Sequence, residues 1–238
     1  MKLRIDKYLS DMGEGTRTEI KTYIKKKLVT INGIVVKSPS EKADTDTDVV
    51  CLNMVQVPYV INEYYLLNKP AGVISATEDR HTVTVLDLIK DKKRNDLFPV
   101  GRLDKDTEGL LLITNDGALA HNLLSPKKHV DKKYYVETDG LLLDEHIELF
   151  KQGIELEEDF VTLPARLEIL HSSTEGSKAY LTIREGKFHQ VKRMMEAVDN
   201  MVTYLKRLTM GSLVLPEDLK AGEYRALTDS EINSLKED

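Results

Sequence analysis

Cysteine is nearly missing. Cys51 is the one thiol in 238 residues, so no internal disulfide can form and a reducing compartment, the cytoplasm, is expected. Long hydrophobic runs are missing too. No apolar stretch approaches the ~20 residues needed to cross a bilayer. The opening MKLRIDKYLS lacks the apolar core of a signal peptide, so neither a membrane partner nor export is expected. There is no repeat or low-complexity tract. No Cys or His pair has metal-ligand spacing, and no G-x-S-x-G elbow occurs. The glycines of GEGTR, residues 13–17, do not match a phosphate-binding loop. What is present is 41% hydrophobic residues, enough for a packed core in one large or two unequal domains.

The net charge of −6 argues against a nucleic-acid partner until its distribution is examined. Residues 1–38 carry nine Lys/Arg against four Asp/Glu. SPKKHVDKK, residues 125–133, has four Lys and one Asp, and REGKFHQVKR, residues 184–193, has four Lys/Arg and one Glu. Acid collects instead in EKADTDTD, residues 41–48, and from Glu217 onward. Three basic islands on an acidic chain can form a track for a phosphate backbone, or each can be a solvated face. As RNA contacts they comprise Arg17, Lys21 and Lys25, then Lys127, Lys128 and Lys132, then Lys187, His189, Gln190 and Arg193.

A Pro-containing connector near 53–60 divides the pattern into a module of residues 1–56 and another of residues 60–238. In the first, helices are expected over 5–11 and 18–27. A hairpin follows, LVTINGIVV, with the favoured Asn32–Gly33 turn. Lys21 and Lys25 share one helix face, with Arg17 just ahead, and Ile20 and Ile24 share another. In the second module strands are expected at 63–68, 109–114, 133–138, 165–170, 179–185 and 202–209, and helices at 83–90, 117–124, 144–152 and 188–198. Tight turns join some strands and helices join others. That mixture points to an α+β fold with a mixed, largely antiparallel sheet flanked by helices.

Chemistry concentrates in PVGRLDKDTEGLLLITNDG, residues 99–117. Asp104, beside Arg102, is expected to stay ionised, with a pKa below about 3.9 if a cation pairs with it. Such a carboxylate can act as nucleophile or base, or it can cap a surface turn. Asp106 lies two residues on and in extended chain points the same way. The pair could serve a hydrolase or a divalent metal, although Arg102 and Lys105 would repel a metal. In HQVKRMMEAV, His189, Lys192, Arg193 and Glu196 form one helical face; Val191, Met194, Met195 and Val198 form the other. Cations at a helix start call for a nearby anion, a phosphate or a carboxylate. In KKYYV, Tyr134 and Tyr135 face opposite sides of a strand, and the sequence does not say which is buried. NKPAG, residues 68–72, reads as a structural turn.

GRLDKDTEGLLLITNDG closely resembles the signature of pseudouridine synthases of the RsuA type. LLNKPAGVISATED, LLSPKKHVDKKYYV and EGKFHQVKRMMEAVDN resemble the same family in the same order. The first 50 residues resemble the small S-four-type RNA-binding domain. The resemblance implies the pseudouridine synthase fold, preceded by a small α/β RNA-binding domain. It implies an isomerase that detaches a uridine of rRNA at nitrogen and reattaches it through carbon, with no cofactor or metal. It places Asp104 at the essential aspartate and Tyr134 at the tyrosine that stacks on the uracil. Lys192 falls at the basic partner that keeps the aspartate charged, and Arg102 at the arginine that helps extrude the nucleotide. Extrusion is required because a stacked base is closed to such chemistry. The wording favours 16S rRNA, free or in a subunit assembly intermediate, and a monomeric enzyme. The alternatives are 23S rRNA, a non-catalytic RNA-binding or ribosome-assembly protein, and a hydrolase using Asp104 with Asp106.

Two positions depart from the family pattern. Asp199 stands where the family usually has Gly, a site expected to be left-handed, which Asp tolerates better than most residues. Lys27–Leu28 replaces the usual Gly-Arg before the hairpin, which would weaken or redirect RNA contact there.

Overall fold

The computed structural model describes residues 1–157 and 160–238, the side chains at 126 and 157 excepted. Its contacts divide into two units, Met1–Glu63 with Lys90–Leu97, and Tyr64–Ile89 with Phe98–Asp238.

The first unit contains β1 (Lys2–Arg4), α1 (Ile5–Asp11), α2 (Arg17–Lys25), β2 (Val29–Ile31), β3 (Ile34–Val35), β4 (Lys42–Asp44), β5 (Val50–Leu52) and β6 (Val55–Gln56). Helix α2 opens on a capping box: Thr16 accepts from the Glu19 amide while Glu19 accepts from the Thr16 amide. The helix therefore starts at Arg17, one residue earlier than the apolar pattern suggests. It ends in a Schellman turn, with Lys27 N donating to Ile24 O and Leu28 N to Tyr23 O. Lys27 is left-handed there, with φ 59°. Asn32 and Gly33 both have positive φ, as the two-residue hairpin turn demands. Ile5, Leu9, Ile20, Ile24, Val29 and Val50 close the core. The strip Lys90–Leu97 completes this unit. Arg94, 4% exposed, donates to Val60 O at 3.0 Å, and Glu63 accepts from the Lys93 and Arg94 amides.

The second unit contains β7 (Tyr64–Lys69), β8 (Phe98–Pro99), β9 (Glu108–Thr114), α3 (Gly117–Leu124), β10 (Lys132–Thr138), α4 (Asp144–Gln152), β11 (Glu155–Glu157), β12 (Phe160–Val161), β13 (Arg166–Ser173), β14 (Gly176–Ile183), α5 (Gln190–Glu196), β15 (Val202–Met210), β16 (Leu213–Val214), β17 (Tyr224–Ala226) and α6 (Asp229–Glu237). Nine strands form one sheet in the order β13-β14-β10-β15-β9-β7-β17, with β16 on β15 and β8 on β9. Among the described residues its one parallel pair is β9 with β15, Arg207 facing Gly109. The sheet is mixed and largely antiparallel, as expected. The Leu110–Ile113 run is wholly buried, since β9 is covered on both faces. Leu119 and Leu123 of α3 and Leu235 of α6 pack on Leu110 and Leu112.

Two expected helices differ. The one over 83–90 is a 3₁₀ turn, Val85–Leu88, closed by a Thr84–Asp87 capping box, after which the chain leaves this unit. The one over 188–198 begins only at Gln190, because His189 is left-handed, with φ 50°.

Candidate active site

Asp104 sits in the loop between β8 and β9, and its position is fixed from three directions. Leu103, buried, donates its amide to Ser75 Oγ at 3.0 Å, and Ser75 Oγ donates back to Leu103 O at 2.8 Å. Thr107 N donates to Asp104 O, closing a turn. Below it lies Lys69, fully buried at the end of β7. Its ammonium donates to Thr107 O at 2.8 Å, Pro70 O at 3.1 Å and Lys105 O at 3.3 Å. Burial pushes that ammonium down to about 8, against the opposing pull of Asp106, Asp104 and Glu108. NKPAG is thus a clamp on the carboxylate turn: Gly72 N also donates to Lys105 O. Sequence reasoning took the segment as a turn and gave Lys69 no role. A lysine is normally at the surface, so residue type carried no signal.

The strand behind the turn needs its glycine. Gly109 has φ +101°, and a Cβ there would lie 2.2 Å from the Arg207 carbonyl oxygen. Only glycine lets β9 approach β15 this closely.

Three segments far apart in sequence converge on a small cavity of about 60 Å³, lined by Arg102 and Asp104 from the loop, Tyr134 from β10, Lys187 and His189 from the chain just before α5, and Lys192 from its first turn. Tyr134 is the buried member of its pair, 7% exposed. Tyr135 lies on the opposite sheet face, donating to Glu137 at 2.6 Å, and burial together with that carboxylate pushes its phenol up to about 12. Lys192 Nζ stands 3.5 Å from Asp104 Oδ2, and His189 Nε2 stands 3.6 Å from Asp104 Oδ1. The closest bonds of Lys192 go to Asp106, at 2.7 and 2.8 Å. One ammonium therefore bridges both carboxylates. The hydrogen bond from Lys192 holds the Asp106 carboxyl below the usual range. Asp106 is 71% exposed. An ionised, exposed Asp106 does not suit the general acid that a carboxylate-pair hydrolase requires. The anions that the cationic start of α5 called for are these two aspartates.

The expected RNA contacts are placed unevenly. Arg17 and Lys21 line a groove of about 400 Å³ with Lys2, Lys7 and Lys42, and Lys25 is exposed on the same helix. Lys127 and Lys128 are exposed on a short 3₁₀ turn and belong to the lining of neither cavity near Asp104. Arg193, partly buried, donates to Leu156 O at 3.2 Å. Two of the expected contacts are turned inward and line the cavity walls. Lys132 is 4% exposed and donates to Val130 O at 2.9 Å, with burial first and Arg207 second pushing it down to about 8. Gln190 is 3% exposed, its amide bonded to Glu185 and its oxygen accepting from Lys187 N. Both brace the walls of the site. The sequence showed their polarity but not that the fold supplies them with internal partners.

Residues 63–197 match the RNA pseudouridylate synthase family, and residues 3–50 match the S4 domain. The chain belongs to the RNA pseudouridylate synthase family. It is 47% identical to an uncharacterized RNA pseudouridine synthase of Bacillus subtilis, over 99% of both chains. It is 41% identical to the ribosomal small subunit pseudouridine synthase A of Vibrio cholerae, over 98% of this chain and 99% of that one. For the enzyme of that name from Escherichia coli the identity is 36%, over 98% and 100%. A crystal structure of a pseudouridylate synthase, 36% identical, aligns with a TM-score of 0.69 over 98% of this chain and 99% of that one. The α+β fold expected from the sequence is thus the pseudouridine synthase fold with an N-terminal S4 domain, and the chain is an isomerase of that family. Among the described residues no helix is long and apolar enough to cross a membrane.

Proposed function

We propose that this chain converts a uridine of small-subunit rRNA to pseudouridine, acting as a cytoplasmic monomer on 16S rRNA or an assembling subunit. The observation that carries the reading is the meeting of Asp104, Tyr134 and Lys192 at one cavity. The relatives named ribosomal small subunit pseudouridine synthase A, similar over nearly their whole length, favour the small subunit. The reaction breaks the bond from the ribose to N1 and forms one to C5; N1 gains a proton and C5 loses one. Asp104 is the carboxylate that acts on the extruded nucleotide, held ready by Lys192. Tyr134 forms the apolar wall against the uracil. Arg102, exposed at the mouth, fills the space that the nucleotide leaves. The module of residues 1–56 holds RNA through Arg17, Lys21 and Lys25, while Lys187 and His189 contact it beside the cleft of the module of residues 60–238.

The test is pseudouridine mapping in rRNA from cells with the protein, without it, and with Asp104→Asn. The expected result is one site lost from 16S rRNA in both deficient strains, while Asp104→Asn still binds rRNA. A site lost from 23S rRNA would shift the substrate to the large subunit. Full modification by Asp104→Asn would overturn the mechanism, and no lost site would leave the binding-protein reading.

A further inference from the structure

A second cavity of about 340 Å³ adjoins the first and shares Arg102, Asp104, Gly186, Lys187 and His189 with it. Its volume falls in the range of small-ligand sites, roughly 300–1,000 Å³. Its distinctive wall is Phe188. That side chain is 69% exposed, although it is a large apolar group in a protein with only four phenylalanines. Its ring is stacked on His189, with centroids 3.8 Å apart and planes inclined by 16°. His189 is left-handed, an unfavourable state for a residue with a side chain. An exposed aromatic ring at the edge of the cleft offers a flat face for stacking.

The chemistry of the wall defines that ligand. A flat apolar face suits a planar ring. Arg102, Lys132 and Lys187 supply three cations against the one carboxylate of Asp104, which suits an anion joined to that ring. A nucleotide has both parts. Because the two cavities share five residues, an occupant of the second would be the immediate neighbour of a nucleotide bound at Asp104. Building on the proposed uridine isomerisation, we propose that this cavity holds an unpaired nucleotide next to the target in the RNA strand. Its base stacks on Phe188 and its phosphate lies against Lys187, which leaves Arg102 to fill the space of the extruded target. Phe188 is then a determinant of which uridine is accepted. Stacking strength, rather than hydrogen-bond readout, sets its preference and favours a purine.

The test uses the full chain and RNA hairpins whose loop carries one uridine with 2-aminopurine on its 5′ or its 3′ side. Stacking quenches 2-aminopurine fluorescence. Wild-type protein is expected to quench one of the two probes. Phe188→Ala and Phe188→Leu lose the quenching, and Phe188→Trp keeps it. On the mapped rRNA fragment, Phe188→Ala raises KM and lowers kcat/KM about 10- to 100-fold, from the typical worth of one base–aromatic stack. An abasic neighbour costs the wild type the same factor and costs Phe188→Ala nothing more. Quenching of neither probe, quenching unchanged in Phe188→Ala, or an abasic penalty equal in both proteins would overturn the proposal. Failure to modify any rRNA fragment would overturn the proposed activity instead, and the quenching would still decide the platform.

Discussion

Gly109→Ala is the substitution that most directly tests how the carboxylate turn is supported. Two costs add. The residue has φ +101°, and placing an L side chain in positive-φ backbone costs about 1–2 kcal/mol. The new Cβ would meet the Arg207 carbonyl oxygen at 2.2 Å, against a floor of 3.0 Å for real contacts. The strands must separate, yet β15 is held in place because Arg207 Nε donates to Leu110 O at 2.8 Å and the residue is 2% exposed. Overpacking of this kind costs about 1–3 kcal/mol. The sum is about 2–5 kcal/mol. Gly72→Ala bears the first cost alone, because Gly72 has φ +87° and nothing within 4 Å of a built Cβ, so the difference between the two variants isolates the second. Equilibrium unfolding in denaturant, followed by circular dichroism, should show Gly109→Ala less stable than Gly72→Ala by about 1–3 kcal/mol at unchanged slope. Equal losses in the two variants would mean that the close approach of β9 to β15 does not constrain position 109, and the reasoning would fall.

Two further outcomes follow from other positions. Lys27→Gly should raise the stability of the first unit by about 0.5–1 kcal/mol, the left-handed penalty less the greater freedom of glycine in the unfolded chain; a loss of stability on denaturant unfolding would contradict the Schellman reading. The bidentate bond from Arg225, at 2.6 and 2.8 Å, holds Glu231 down at about 2 from an ordinary 4.5. The carboxyl is depressed in the folded state, so its stabilisation is complete above pH 4.5 and is lost as pH falls from there through 2. After discounting for solvent, Glu231→Gln should remove about 1 kcal/mol of pH-dependent stability across that window, and an unaltered acid transition would refute it.

What was legible in the sequence was whatever rests on local pattern. The Leu110–Ile113 run, the alternation in KKYYV and the apolar face of α5 each announced an element, because burial imposes a period on the residues that face the core. Asn32–Gly33 announced its turn. The left-handed state expected at Asp199 is present, with φ 56°. The short strands β1 and β4 were not legible. Each has three residues, and Lys2 pairs with Asp44, a contact that no local window contains. In α6 the acidic tail obscured a capping box, Thr228 with Glu231, and an apolar pair, Ile232 and Leu235. At the site, Asp104, Tyr134 and Lys192 could be named because the resemblance names them. The clamp at Lys69, the bridging of Asp106, and the inward turns of Lys132 and Gln190 depend on where the fold puts carbonyls and carboxylates, which residue type alone does not encode.

The strip Lys90–Leu97 makes the two units inseparable by a single cut. A fragment ending after residue 63 would lose Arg94 and the two amides that satisfy Glu63. The complementary fragment would carry a guanidinium shaped for burial but stripped of Val60 and Asp11. Evolutionary exchange of the RNA-binding half for another would therefore have to replace eight residues inside the catalytic half as well.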